Sequence, residues 1–374
     1  MRFNVSGKAL HTQLQAVNKV INSKNSLAVL DNFLLRVEGE RLSITGSDQE
    51  NVMTAQLDIL DSECDGEIAV NAKRLLDIIK EIANQPLTFY INDSTKEIDI
   101  KFNNGHFNFM GIGAVEYPRK QDHEPERQNF SIPAQMALAG IDRTLFAAST
   151  DPIRPTMTGI FWDIVPEGIT FVSSDTHKLV RYRNTTASPG ITDSFILPAK
   201  PAGILRALLA KAEGDVDIVK DSKSATFTFG DFSISTRFIK GNYPNYNRVI
   251  PENNPFHLSI DREMFVSALR RVALFASQAS QLVKLNVQPS EVLLSAQDLD
   301  YGTSAEERVN CEYEGNPMVI GFNSQYLLEV LTNLTGETVV GDLSDPARPG
   351  LFHPLEKTEG EDIVMLQMPM QVLE

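Results

Sequence analysis

Three stretches of this chain carry one pattern: RFNVSGKALHTQLQAV from Arg2, NFSIPAQMALAGIDRTL from Asn129 and FHLSIDREMFVSALRRV from Phe256. Each opens with two apolar residues two apart (Phe3 and Val5, Phe130 and Ile132, Leu258 and Ile260), the alternation of a half-buried strand. Each continues with apolar residues seven and eleven places on (Leu10 and Leu14, Ala137 and Ile141, Phe265 and Leu269), which share one helix face. The copies lie 127 and 128 residues apart.

Other markers keep nearly the same period. LSITGSDQEN, ITFVSSDTHK and VLLSAQDLDY each set an Asp after an alternating strand, at Asp48, Asp175 and Asp298, and Tyr117-Pro118 recurs as Tyr243-Pro244. A second strand-turn-helix pattern lies inside each copy, in GEIAVNAKRLLDIIKEI, DSFILPAKPAGILRALLAK and NPMVIGFNSQYLLEVLTNL. The stretches between helices, such as Leu87-Thr88-Phe89-Tyr90-Ile91 before Asn92-Asp93, have the period of antiparallel strands closed by turns. The sequence thus predicts an α+β chain of three tandem domains, 1–122, 129–252 and 254–374, each an internal two-fold repeat with two helices packed on antiparallel sheets. Polar, turn-rich stretches at 119–127 and 251–255 read as linkers.

The 374 residues contain 34 Lys and Arg against 49 Asp and Glu, a net charge of −15, which excludes a uniformly basic protein that coats nucleic acid. The N-terminus lacks an apolar signal core and no stretch reaches the roughly 18 apolar residues of a membrane span, so the expected location is cytoplasmic, with no membrane partner. Cys64 and Cys311 are far apart and belong to no metal or disulfide pattern.

The common catalytic signatures, GxxxxGK[ST], GxSxG, HExxH and GxGxxG opening a helix, are missing. The six histidines show no metal-ligand spacing, and His123-Glu124-Pro125-Glu126-Arg127 has Arg127 where a zincin start needs its second ligand, so neither metal nor cofactor is expected. Ser174-Asp175-Thr176-His177 holds the three residue types of a hydrolytic triad. Adjacent residues point to alternate faces, however, and the recurrence of the Asp at 48 and 298 reads as a polar turn. A hydrolase using Ser174, Asp175 and His177 is therefore the weakest reading, behind an acidic peptide-binding scaffold that never meets DNA.

Charge is unevenly distributed. The expected helices, 8–22, 72–83, 134–147, 199–213, 261–275 and 323–335, hold 12 Lys and Arg against 7 Asp and Glu, leaving −20 on the rest. Six helices about 10 Å across set in a ring leave a hole of only about 9 Å, whereas twelve from two copies leave about 28 Å, enough for a duplex about 20 Å wide.

The three-domain repeat, SSDTHKLVRY, GNYPNYNRVIP, GFNSQYLLEVL and the terminal QMPM together resemble the bacterial DNA polymerase sliding clamp family, the beta subunit of the replicative polymerase III holoenzyme. The resemblance spans essentially the whole chain in collinear order. It implies a non-catalytic, head-to-tail homodimeric ring that encircles duplex DNA without reading sequence, is opened by a clamp-loader complex, and tethers the DNA polymerase catalytic subunit and other polymerases as a processivity factor. It further implies a partner-peptide pocket formed by Met157, Ser174, Thr176, His177, Lys178, Leu179, Pro244, Arg248, Val249, Asn323, Tyr326, Met368, Pro369 and Met370. DNA-backbone contacts are implied at Lys24, Lys73, Arg74 and Lys200, and a subunit seam at Phe107 and Phe109 facing Leu274 and Phe275. The chain departs from the family in three places. Thr176 stands where Gly is common, so a different backbone conformation is expected at that turn. Gln371 replaces a basic residue before Val372-Leu373-Glu374, and Pro155-Thr156 replaces an aromatic pair.

Overall fold

The computed structural model describes residues 1–25, 27–115, 117–118 and 127–372. Most of the expected first linker, 119–126, and the end of the tail, 373–374, lie outside them. Six times a strand runs directly into a helix: Arg2–Ser6 into α1 (Gly7–Val17), Gly66–Asn71 into α2 (Ala72–Ile82), Gln128–Pro133 into α3 (Ala134–Thr144), Asp193–Pro198 into α4 (Ala199–Leu209), Phe256–Asp261 into α5 (Arg262–Ala273), and Met318–Asn323 into α6 (Ser324–Asn333). At four of these junctions the last strand residue is the helix cap. The side chains of Ser6, Asn71, Asp261 and Asn323 accept hydrogen bonds from the backbone N–H groups of the first helical turn, groups that have no partner inside the helix.

The helices are shorter than expected, because α1 and α4 end at Val17 and Leu209 and leave Lys19 and Lys211 in turns. The charge contrast survives: the six helices hold ten Lys and Arg against five Asp and Glu, again +5 on the helices and −20 elsewhere. Leu10, Leu14, Ala137, Ile141, Phe265 and Leu269, the residues that defined the repeat, are all essentially inaccessible. In the second unit Phe265 and Leu269 pack with strand residues such as Leu285 and Leu294 in one buried cluster.

Packing gathers the chain into two compact units, Met1–Ala137 with Gly203–Phe238, and Leu138–Ala202 with Ile239–Glu374. The first unit contains a four-stranded sheet ending in Gly105–Met110 and an eight-stranded antiparallel sheet. The latter is continuous because Asn51–Asp58 pairs with Phe232–Arg237, placing Ala55 opposite Phe232. The second unit is built on one twelve-stranded sheet, continuous because Lys178–Asn184 pairs with Glu361–Gln367, placing Leu179 opposite Leu366. Sheets therefore run on between segments distant in sequence, which pairs strand edges that would otherwise present open ladders.

The recurring Asp has one structural task. Asp48 accepts from the N–H groups of Glu50 and Asn51, Asp175 from those of His177 and Lys178, and Asp298 from those of Asp300 and Tyr301. Asp221 repeats the arrangement with Lys223 and Ser224. The carboxylate closes a tight turn by satisfying two backbone donors, as the polar-turn reading requires.

Candidate functional site

The turn at Asp175 lies in the second unit, at the head of the strand Lys178–Asn184. Its residue types do not form a triad. Ser174 Oγ donates to the Lys178 carbonyl at 2.9 Å, Asp175 is occupied by two backbone donors and the Lys178 ammonium at 2.5 Å, and the His177 ring stacks on Tyr326 with centroids 5.3 Å apart. Thr176 has φ +79°, so the turn keeps the left-handed conformation that glycine favours, against the expectation of a different one. Of the five non-glycine residues with positive φ among the described residues, Thr176 alone is β-branched, a placement costing about 1–2 kcal/mol.

Lys178 is almost fully buried, yet its ammonium meets Asp175, Glu329 Oε2 at 2.9 Å and the face of Tyr326 at 4.5 Å. Burial works against the charge, but the two carboxylates outweigh it and raise the pKa. This cation ties the turn to α6. On the other side the chain after Glu361–Gln367 is fixed by backbone: the Met368 N–H donates to the His177 carbonyl at 2.9 Å and the Met370 N–H to the Gly321 carbonyl at 2.8 Å. Fully buried Gln367 donates from its side chain to the Asn323 carbonyl at 3.0 Å.

Leu179 forms a small cluster with Val172, Tyr246, Leu351 and Leu366, flanked by Phe161 and Tyr243, whose rings stack at 4.9 Å. Tyr246 belongs to the short 3-10 turn Tyr246–Arg248, and its hydroxyl donates to Asp163 at 2.9 Å; burial and that carboxylate push its pKa up to about 12. Around this interior the exposed residues are mostly apolar, with Arg248 as the charged one. Pro244, Arg248 and Val249 are exposed on the same segment, as is Met368, while Met157 is buried at the end of the 3-10 turn Pro155–Met157. The result is an apolar floor with exposed Val249 and Met368 side chains, suited to apolar anchors of a short peptide.

Hydrogen bonds and ring contacts link Ser174, Thr176, His177, Lys178, Tyr326 and Met368 into one constellation, with Asn323 joined through Gln367 and Met370 through Gly321. The segment of Pro244, Arg248 and Val249 joins it through Tyr243, Tyr246 and Ile250, which pack with Leu179. Sequence reading missed Arg154, Tyr246, Glu329 and Gln367. Tyr246, Glu329 and Gln367 lie inside the quoted GNYPNYNRVIP, GFNSQYLLEVL and QMPM, whereas Arg154 lies in none of them. The roles of Arg154, Glu329 and Gln367 depend on partners 22, 151 and 44 residues away.

The expected DNA contacts are exposed: Lys24 in the loop after α1, Lys73 and Arg74 on the first turn of α2, and Lys200 on that of α4. At the expected seam, Phe107 is partly exposed and lies against Phe102, whereas Phe109 is a buried core residue opposite Ile98. Leu274 and Phe275, just beyond α5, are exposed. No helix among the described residues is long and apolar enough to cross a membrane.

Three family models match in order: the DNA polymerase III beta subunit N-terminal domain over residues 1–121, its central domain over 131–245 and its C-terminal domain over 247–371. The beta sliding clamp of Pseudomonas aeruginosa is 30% identical over 373 residues, covering all of both chains, and that of Caulobacter vibrioides is 29% identical over 367 residues, covering 94% of this chain and 95% of the other. A crystal structure of the P. aeruginosa sliding clamp bound to griselimycin superimposes over the full length of both chains with a TM-score of 0.94 at 28% identity. The Bartonella birtlesii clamp, also bound to griselimycin, does so with 0.93 at 27%. With the six strand-helix units, the shared sheets and these end-to-end matches in agreement, the chain belongs to the DNA polymerase III beta subunit family, the beta sliding clamps.

Proposed function

We propose that this chain is a non-catalytic processivity clamp of the cytoplasm: two copies close head to tail around duplex DNA, a clamp loader opens the ring, and polymerases are tethered by short peptides held at the His177–Leu179–Met368 site. The observation that carries this reading is likeness to beta sliding clamps along the entire chain in one collinear order. Domains at 1–122, 129–252 and 254–374 are part of the same reading.

Three features support it. The +5 on the helices within a −15 chain gives a field that holds DNA weakly inside a ring while the exterior repels it, so contacts at Lys24, Lys73, Arg74 and Lys200 permit sliding. Gly105–Met110 ends its sheet with one side of its ladder open. Phe256–Asp261 pairs with Thr303–Glu314 only over Cys311–Glu314, so along Thr303–Asn310 the side away from Glu291–Asp298 has no strand partner among the described residues. These two edges, with Phe107 on one and Leu274 and Phe275 beside the other, suit a seam between two copies that extends both sheets.

Retention on DNA tests the proposal. After loading, the protein is expected to stay on a nicked circle and to leave once the circle is cut. A stable monomer in native mass spectrometry, or equal retention on linear DNA, would sink it.

A further inference from the structure

Two strand edges carry exposed apolar side chains that the monomer leaves in water. Leu299 and Tyr301 stand at the tip of the hairpin joining Glu291–Asp298 to Thr303–Glu314, 83% and 75% exposed, and Met110 and Ile112 lie at the end of Gly105–Met110, 61% and 45% exposed. One exposed apolar side chain is ordinary, but pairs of them set beside open ladders mark a contact surface.

Both groups are held in place. Asp298 accepts from the Asp300 and Tyr301 N–H groups at 3.0 and 3.3 Å, and Gly302, at φ +62°, turns the chain back into its strand. On the other edge the Gly111 N–H donates to the Lys96 carbonyl at 2.8 Å, and Ile112 exchanges backbone bonds with Ala69 at 2.9 and 3.1 Å. Neither surface has to be ordered before it binds.

Charge is complementary as well. Asp300 stands between Leu299 and Tyr301, while Lys96 holds the chain between Met110 and Ile112, and among the described residues neither forms an ion pair. Glu97, next to Lys96, accepts from Asn108 Nδ2 at 2.5 Å, and on the hairpin Glu307 and Glu291 are paired with Arg271 and Arg308.

Strand direction is set by the middles of the two edges. Arg271 bonds Glu307, which puts the end of α5, with Leu274 and Phe275 just beyond it, beside the middle of the open stretch Thr303–Asn310, and Phe107 stands mid-strand on Gly105–Met110. With these middles together, antiparallel strands bring the hairpin tip to Met110 and Ile112. Parallel strands would bring it to Asn103, Asn104 and His106, which offer it only polar groups.

We propose that the surface between two copies extends past the Phe107 and Leu274 positions: the edge strands pair antiparallel, and the Leu299–Tyr301 tip of one copy covers Met110 and Ile112 of the other, with Asp300 facing Lys96. The inference rests on the two-copy ring proposed above and deepens it by naming the side chains that close it. Four apolar side chains leave water at each seam, and the single charge pair fixes the tip's position along the edge.

The test is cross-linking of the full-length protein, with its oligomeric mass read by sedimentation. In a Cys64→Ser background, Tyr301→Cys combined with Ile112→Cys is expected to give a covalent dimer with a short bismaleimide, and Tyr301→Cys combined with His106→Cys is expected to give none. Single variants control for a bridge through half-buried Cys311. Leu299→Ser, at an exposed tip on which folding does not depend, is expected to raise the dimer dissociation constant about 10-fold, and Ile112→Ser added to it to cost less than Ile112→Ser alone. Asp300→Lys is expected to weaken the dimer at low salt, and Lys96→Asp in the same chain to restore it. A dimer that cross-links through His106 or through neither pair, or whose dissociation constant Leu299→Ser leaves unchanged, overturns the inference and leaves the ring standing. A protein that sediments as a monomer overturns both.

Discussion

His353 and Asp342 are joined at 3.0 Å, Nε2 to Oδ2, while His353 Nδ1 lies 3.0 Å from the Pro354 carbonyl. Both oxygens are acceptors, so the two bonds form together only when the ring carries two protons. His257 Nδ1 meets the other Asp342 oxygen at 2.7 Å, which places one carboxylate between two imidazoles on neighbouring strands.

A pH dependence follows from this geometry. The bond to Asp342 raises the His353 pKa against the cost of its burial and the nearby Lys357 charge; burial opposes the Asp342 charge, but bonds from His353 and His257 outweigh it and lower that pKa. A raised His contributes stability that is complete below about pH 6.5 and fades as pH climbs through its folded value; a lowered Asp contributes above about pH 4 and fades as pH falls through its folded value. Asp342→Asn should therefore cost about 1–3 kcal/mol near pH 6 and clearly less near pH 9. Urea unfolding at the two pH values, with an NMR titration of the His353 ring, checks this; an equal cost at both would refute it.

Replacing the strained residue should stabilise the fold. Thr176→Gly places at φ +79° the one residue without a Cβ penalty, and about 1 kcal/mol of added stability is expected. Thr176→Ala should gain less, since a Cβ remains. Urea midpoints of the three proteins give the order.

Lys178→Met should destabilise by about 2–3 kcal/mol, because Asp175 and Glu329 lose their shared cation; Glu329 is half exposed, which keeps the cost below that of a fully buried pair. Adding Glu329→Gln should recover part of the loss. Faster amide exchange along Lys178–Asn184 in the single variant would locate the effect.

Gly321 admits the end of the chain. A Cβ there would stand 2.7 Å from Val372 Cγ2 and 2.9 Å from the Met370 carbonyl oxygen, so Gly321→Val should push the segment away. Loss of exchange protection at the Met370 amide, together with weaker peptide binding, is the expected result. Preserved protection would show that the segment does not depend on this close approach.

The features legible in the chain alone are local. The period of 127 residues, the strand that runs into each helix, the buried Leu10, Leu14, Phe265 and Leu269 and the Asp that closes each turn are all written within short windows, because helix faces, caps and turns are fixed by neighbours in the chain. Tertiary structure alone decided which edges meet, since many alternating strands present the same ladder and only the packed whole selects Phe232–Arg237 for Asn51–Asp58 and Glu361–Gln367 for Lys178–Asn184. It likewise decided that Lys178 is buried between two carboxylates and that Thr176 holds Arg154 in a left-handed turn. Those facts depend on residues distant in sequence, and on strain that local preference argues against and the surrounding contacts maintain.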